Sequence, residues 1–211
     1  MNAPKATKTL PNGYNLWINL NLIKDTKRLL TLSLVSIGLF IVAWFGLGWL
    51  FLWLRPGTSM DVLSLSFRIT GVVDFLVPFL VIIGVTFVMI TVHEAIHGIF
   101  FRVFTGGRVK YAFKGAYAYA AAPDWYIPKK PYMVVSLAPL VLMTIVGVLA
   151  LLWVPVNWVT PIILLLAMNA SGAVGDIYVF LLLIRLEDDA FIKDFGEKMK
   201  IYTPGDEGTV A

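Results

Sequence analysis

Three long stretches of the chain carry no charged residue, and they constrain the fold more than any other feature. They cover residues 29–54, 75–92 and 131–175, and the last is 45 residues long. A helix needs about 20 mostly apolar residues to cross the hydrocarbon core of a bilayer. The stretches therefore predict an integral membrane protein with the lipid bilayer as its surroundings.

The composition excludes most other classes of protein. Of the 211 residues, 59% are hydrophobic and 14% are charged, whereas about 25% are charged in an average soluble domain. A soluble domain of this size could not bury so much apolar surface. The chain has no cysteine, which excludes disulfides, thiolate zinc sites and cysteine nucleophiles.

The fold class predicted is an all-α membrane protein with about four transmembrane helices. The 45-residue stretch is too long for one helix, and the turn residues at 154–157 divide it in two. The predicted spans are 29–54, 75–101, 132–154 and 158–184. The predicted domains are a cytoplasmic or interfacial segment at 1–28, the four-span domain at 29–186 and a cytoplasmic tail at 187–211.

The distribution of basic residues predicts the topology. The N-terminal segment, the loop 102–131 and residues 185–211 hold 15 of the 17 lysines and arginines, while Arg55 and Arg68 lie in the connection between the first two spans. Basic residues concentrate in cytoplasmic loops. We therefore expect a multi-pass protein of the cell membrane with both termini in the cytoplasm and no nucleic-acid partner.

Two polar segments have patterns of their own. Residues 14–23 mix apolar and polar side chains, which predicts a segment lying on the inner leaflet or, as the alternative, an unstructured leader. In the loop 102–131, aromatic residues alternate with small or polar ones on both sides of Lys114-Gly115. This alternation predicts a short β-hairpin at the membrane surface.

The second span ends in an H-E-x-x-H motif made by His93, Glu94 and His97, which include the only two histidines of the chain. Side chains at positions i and i+4 share one face of a helix, so both imidazoles can hold one metal ion while the glutamate reaches a bound water. Two histidines and a carboxylate form a known catalytic zinc set. The alternative is that these are polar residues at a helix end near the membrane interface, without a function. This alternative is disfavoured, because inserting a charged side chain at the centre of a transmembrane helix costs roughly 2.5–3.5 kcal/mol.

A third metal ligand is predicted at Asp176. Asp176 lies nine residues before Arg185 and His93 lies nine residues before Arg102, so both stand about 13 Å inside the cytoplasmic boundary. Asp74 is unsuitable, because it stands about 28 Å from His93 along the same helix. A metal would neutralise the buried carboxylate of Asp176. The alternative is that this carboxyl group is protonated or paired with a hydroxyl.

Asn169 lies two helical turns before Asp176 on the same stripe, with small residues between them. Small residues allow helices in membranes to approach closely. Asn169 is therefore either a catalytic residue that orients substrate or stabilises an oxyanion, or simply part of close packing.

These motifs together resemble a bacterial family called "putative zincin peptidase", which is itself similar to the site-2 intramembrane metalloproteases. The resemblance covers about residues 10–190 and is carried by His93-Glu94-Ala95-Ile96-His97-Gly98, Gly106-Gly107, Pro128-Lys129-Lys130-Pro131-Tyr132, Leu137-Ala138-Pro139-Leu140 and Asn169…Gly175-Asp176. The chain differs from the site-2 pattern around Asp176, since Ile177 follows Asp176 in place of glycine and no proline separates Asn169 from Asp176. It also shows no PDZ-like domain.

The resemblance implies that His93, His97 and Asp176 are the zinc ligands and that Glu94 is the catalytic acid–base. It also implies that the loop after the motif presents an edge strand to an extended substrate. The types of the ligand residues would also allow iron or manganese in place of zinc.

The function predicted is a membrane zinc metalloprotease acting on a peptide or membrane-protein substrate. A non-catalytic adaptor or metal sensor is the alternative. A metal or proton transporter is disfavoured, because, apart from Asp74, the polar residues lie at one depth of the bilayer.

Overall fold

The computed structural model describes residues 5–22, 24–63, 71–115 and 117–205, without the side chains of residues 60, 62, 74 and 75. Arg68, the side chain of Asp74 and the last part of the predicted tail lie outside the described residues.

The described chain is mostly helical. Its helices are α1 Thr26–Leu54, α2 Val72–Thr105, α3 Lys129–Leu151, α4 Val159–Gly172 and α5 Val174–Ile184, with short 3-10 turns at Met60–Leu63 and Val156–Trp158. Its strands are β1 Tyr14–Leu20, β2 Lys110–Phe113, β3 Ala118–Ala121, β4 Ile127–Pro128, β5 Phe191–Asp194 and β6 Met199–Pro204. The prediction of an all-α fold with one optional hairpin is therefore wrong in one respect, since a four-stranded sheet is also present.

Three of the helices are long and apolar enough to cross a membrane, namely α1, α2 from Leu76 onwards, and α3. A fourth span results if α4 and α5 are counted as one, with a break between them at Ala173. The helices lie within a few residues of the predicted spans, and the turn predicted at 154–157 is present. The unbroken fourth helix is the part of this prediction that is wrong.

The apolar side chains of α1 and α2 lie mainly on the surface. In the most apolar part of each helix, only 6% and 11% of the residues are buried. Soluble proteins rarely expose contiguous apolar surface on this scale. The fold is therefore compatible with a membrane protein.

The chain forms two compact units. The first comprises Met1–Leu32, Glu94–Pro139 and Gly175–Ala211, and the second comprises Ser33–His93 and Leu140–Val174. The core of the first unit contains Phe101, Ile127, Leu183, Ile192 and Ile201, all at most 2% exposed. The core of the second unit is built from different residues, including Phe51, Leu151 and Ile163.

The sheet of the first unit joins the two ends of the chain. Its order is β1-β6-β5-β4 with antiparallel neighbours, and Tyr14 pairs with Pro204 at one end. The N-terminal segment for which contact with the inner leaflet was predicted is thus strand β1, and that contact stays a prediction. The same unit holds the β2–β3 hairpin, in which Tyr111 pairs with Ala120. The prediction of a short hairpin in the loop 102–131 is confirmed.

Candidate metal centre

Helix α2 places His93 and His97 one turn apart on the same face, because residues four apart in an α-helix are neighbours, and Glu94 directly follows His93. Both histidines are buried, with 7% and 8% of their surfaces exposed. Buried imidazoles need partners for their ring nitrogens, since an unpaired polar atom is costly away from water. The two rings meet this requirement in the same way.

In each histidine, Nδ1 lies against an oxygen atom that can only accept a hydrogen bond. His97 Nδ1 lies 2.9 Å from the carbonyl oxygen of Val135 in α3. His93 Nδ1 lies 2.9 Å from Oδ1 of Asn169 in α4. In a neutral ring with this contact the proton lies on Nδ1, so Nε2 is the nitrogen whose lone pair faces outward from it. Such partners fix the tautomer and the orientation of a ligating imidazole.

Asp176, the third predicted ligand, lies in the first turn of α5. Its Oδ1 atom lies 3.5 Å from Nε2 of His97. One ligand atom each from His93, His97 and Asp176 lies within 4.8 Å of the others. The structure therefore brings together the three residues predicted as ligands.

The chemistry of these groups fits a zinc ion, and so does the distance between Asp176 and His97. Ligands about 2.0–2.1 Å from a tetrahedral zinc ion stand roughly 3.4 Å apart, close to the separation of Asp176 Oδ1 and His97 Nε2. Two imidazoles and one carboxylate leave a fourth position open, as catalytic zinc sites require. The site is thus a possible metal-binding group of the kind that the sequence predicts.

The β2–β3 hairpin contacts the face of α2 that carries Glu94. The amide of Ala120 in β3 donates a hydrogen bond of 2.6 Å to Oε2 of Glu94. Across the hairpin, the hydroxyl of Tyr111 lies so close to Gly98 that a Cβ there would collide with it. Glu94 and Gly98 are four residues apart on α2, so both strands lie along one helical stripe. The missing Cβ of Gly98 allows this close approach.

Asn169 is fully buried, at 0% exposure. Its Oδ1 accepts from His93, whereas its Nδ2 has no hydrogen-bond partner among the described residues. The structure thus places this side chain against a predicted ligand. A direct role of Asn169 toward substrate stays a prediction.

Outside the apolar helices, Asp194 in β5 anchors the sheet to the start of α3. Its Oδ2 accepts a 2.6 Å hydrogen bond from the Tyr132 hydroxyl, and its Oδ1 accepts one from the Gly196 amide. Burial raises the pKa of the Asp194 carboxyl, and these two hydrogen bonds oppose the rise. The sequence did not single out this aspartate, because it lies in a polar segment that looked like an exposed tail.

A cavity of about 830 Å³ opens beside the last turns of α2. Gly98, Tyr111 and Trp125 line it, together with the basic residues Lys8, Arg102 and Arg108. Since Gly98 and Tyr111 also mark the stripe of Glu94, the cavity adjoins the face of α2 that the hairpin covers.

Apolar helices that hold two histidines and an aspartate beside a hydrogen-bonded glutamate define a candidate metallopeptidase. The comparison with family models gives the same class. Residues 86–191 match the family described as "Putative zincin peptidase", and the chain belongs to that family. No curated protein and no solved structure matches the chain significantly. The matched region begins within α2 and ends at the start of β5, so it contains all the candidate site residues.

Proposed function

We propose that this protein is a membrane-embedded zinc metallopeptidase that hydrolyses peptide bonds of membrane or membrane-proximal substrates. The observation that carries the proposal is the convergence of His93, His97 and Asp176 within 4.8 Å, with Glu94 on the same helix. Family membership supports the metallopeptidase class. The apolar helices support a membrane location, and the distribution of basic residues supports termini and site on the cytoplasmic side.

A zinc ion held by the two imidazoles and the carboxylate would acidify a bound water and polarise the scissile carbonyl. Val135 and Asn169 orient the imidazoles through Nδ1. Ligand orientation of this kind is commonly worth 10–100-fold in metal affinity or activity.

Glu94 is the proposed general base and acid. Its carboxylate takes a proton from the attacking water and delivers it to the departing amine. The Ala120 amide donates to Oε2, which restrains the carboxylate before substrate arrives. Preorganisation of this kind reduces the cost of reaching a reactive geometry.

The hairpin is the proposed binding surface for an extended substrate. Residues 108–120 include both strands, and β2 and β3 form a two-stranded sheet. A peptide can bind such a sheet by adding a strand to its edge. Because Ala120 already contacts Glu94, a peptide bound along the hairpin would lie close to the catalytic carboxylate.

Zinc content and turnover together test the proposal. The protein, purified in detergent, should contain one equivalent of zinc, and both His93→Ala and Asp176→Ala should lose it. Glu94→Gln should retain zinc but no longer cleave a library of fluorogenic peptides. If both ligand variants still bind zinc, the proposed metal centre is wrong. If a cellular phenotype survives Glu94→Gln intact, the protein is an adaptor or metal sensor instead.

A further inference from the structure

Helix α3 contains a proline in its interior, at Pro139. In an α-helix the amide of each residue donates to the carbonyl four residues earlier. Proline has no amide hydrogen, and its ring also crowds that carbonyl. Pro139 therefore deprives the carbonyl of Val135 of its normal donor within the helix.

The carbonyl of Val135 has a different partner. It accepts from His97 Nδ1 at 2.9 Å, in a buried contact between α3 and α2. Val135 itself is 1% exposed, so solvent does not replace the lost helical donor. The imidazole thus occupies the acceptor that the proline leaves open.

We propose that Pro139 is a positioning residue for the metal centre. By removing a competing amide, it reserves the Val135 carbonyl for His97, which keeps Nδ1 protonated and turns Nε2 toward Asp176. The inference deepens the proposed zinc site and rests on it. It also gives a physical role to Leu137-Ala138-Pro139-Leu140, a motif that the catalytic proposal does not otherwise use.

The chain provides a matched control in Pro78, the proline inside α2. Pro78 also removes one helical donor from a long apolar helix, but it precedes His93 by 15 residues. Replacing either proline with alanine restores one amide and favours the helix to a similar degree. Only the change at Pro139 introduces a donor that competes with a predicted ligand.

The test measures zinc affinity by chelator competition on the full-length protein in detergent, for the wild type, Pro139→Ala and Pro78→Ala. Pro139→Ala should bind zinc about 10-fold more weakly or worse, and Pro78→Ala should match the wild type. The thermal midpoint of metal-free Pro139→Ala should be at or above that of the wild type, because alanine favours a helix interior. A purely structural role for Pro139 would instead lower zinc affinity and metal-free stability together.

An ester-containing variant separates the missing amide from the proline ring. Lactic acid at position 139 supplies neither an amide hydrogen nor a ring, so zinc affinity should match the wild type even if Pro139→Ala fails to fold. Wild-type affinity in Pro139→Ala, or weak binding in the ester variant, overturns the inference while leaving the zinc site intact. A wild type that binds no zinc overturns the proposed function itself, and the inference with it.

Discussion

The backbone amide of Ala120 lies 2.6 Å from Oε2 of Glu94, so a strand of the hairpin directly holds the proposed catalytic carboxylate. The amide belongs to the edge of β3 that faces away from β2, since a single amide hydrogen cannot point both to the ladder and to α2. An edge position of this kind is where a strand tolerates proline. The contact can therefore be removed without breaking the hairpin ladder.

Ala120→Pro should lower kcat by about 10–100-fold, because small displacements of a catalytic group are that costly. Zinc content should remain that of the wild type, since none of the predicted ligands is altered. The measurement is steady-state cleavage of a fluorogenic peptide in detergent, with zinc determined on the same sample. Ala120→Gly is the control, because it keeps the amide and removes only the methyl group. Full activity in Ala120→Pro would contradict the positioning role of this amide.

Asn169→Ala should weaken zinc binding by about 10–100-fold, because His93 loses the acceptor that fixes its Nδ1. Ser171→Ala is a suitable control on the same helix, since its hydroxyl contacts Ser36 instead. Chelator competition measures both variants. Equal zinc affinities in the two variants would show that Asn169 acts elsewhere, for example on substrate.

The sequence was most informative where function depends on side chains repeated at helical spacing. The apolar stretches predicted the long helices, because their length and lack of charge leave few alternatives. The i, i+4 spacing of His93 and His97, together with the matching depth of Asp176, predicted a cluster that the structure does form.

The sequence was least informative where backbone groups or distant pairings decide the structure. The pairing of Tyr14 with Pro204 joins the two ends of the chain, and short strands so far apart leave no local pattern. The Ala120 amide and the Val135 carbonyl also leave no signal, since every residue except proline carries both groups. Pro139 is a feature of the sequence that relates to the Val135 contact. Its role depends on which side chain of α2 reaches that carbonyl, and the sequence does not show this.

Zinc should stabilise the folded protein through Asp176. A ligand at 100 times its dissociation constant adds about 2.7 kcal/mol to the free energy of unfolding if it binds only the folded state. We expect a corresponding rise in thermal midpoint for the wild type on zinc addition, and none for Asp176→Ala. Asp124→Ala provides the control, because Asp124 is an exposed aspartate outside the metal cluster and its loss should leave the rise unchanged. An undiminished rise in Asp176→Ala would exclude this carboxylate as a ligand.

Asp194 should make stability depend on pH in an unusual direction for an aspartate. Because burial raises its pKa in the folded state, the folded protein binds the proton more tightly than the unfolded chain does. Its contribution to stability is therefore full below about pH 4, near the pKa of an unfolded aspartate, and is lost as the pH rises through the folded value. Asp194→Asn removes this titration but keeps groups that can bond to Tyr132 and Gly196. The thermal midpoint of Asp194→Asn relative to the wild type should consequently increase from pH 4 to pH 7 in metal-free samples, as a fluorescence melting series would measure. A constant difference between the two proteins across this range would mean that burial does not perturb the Asp194 carboxyl.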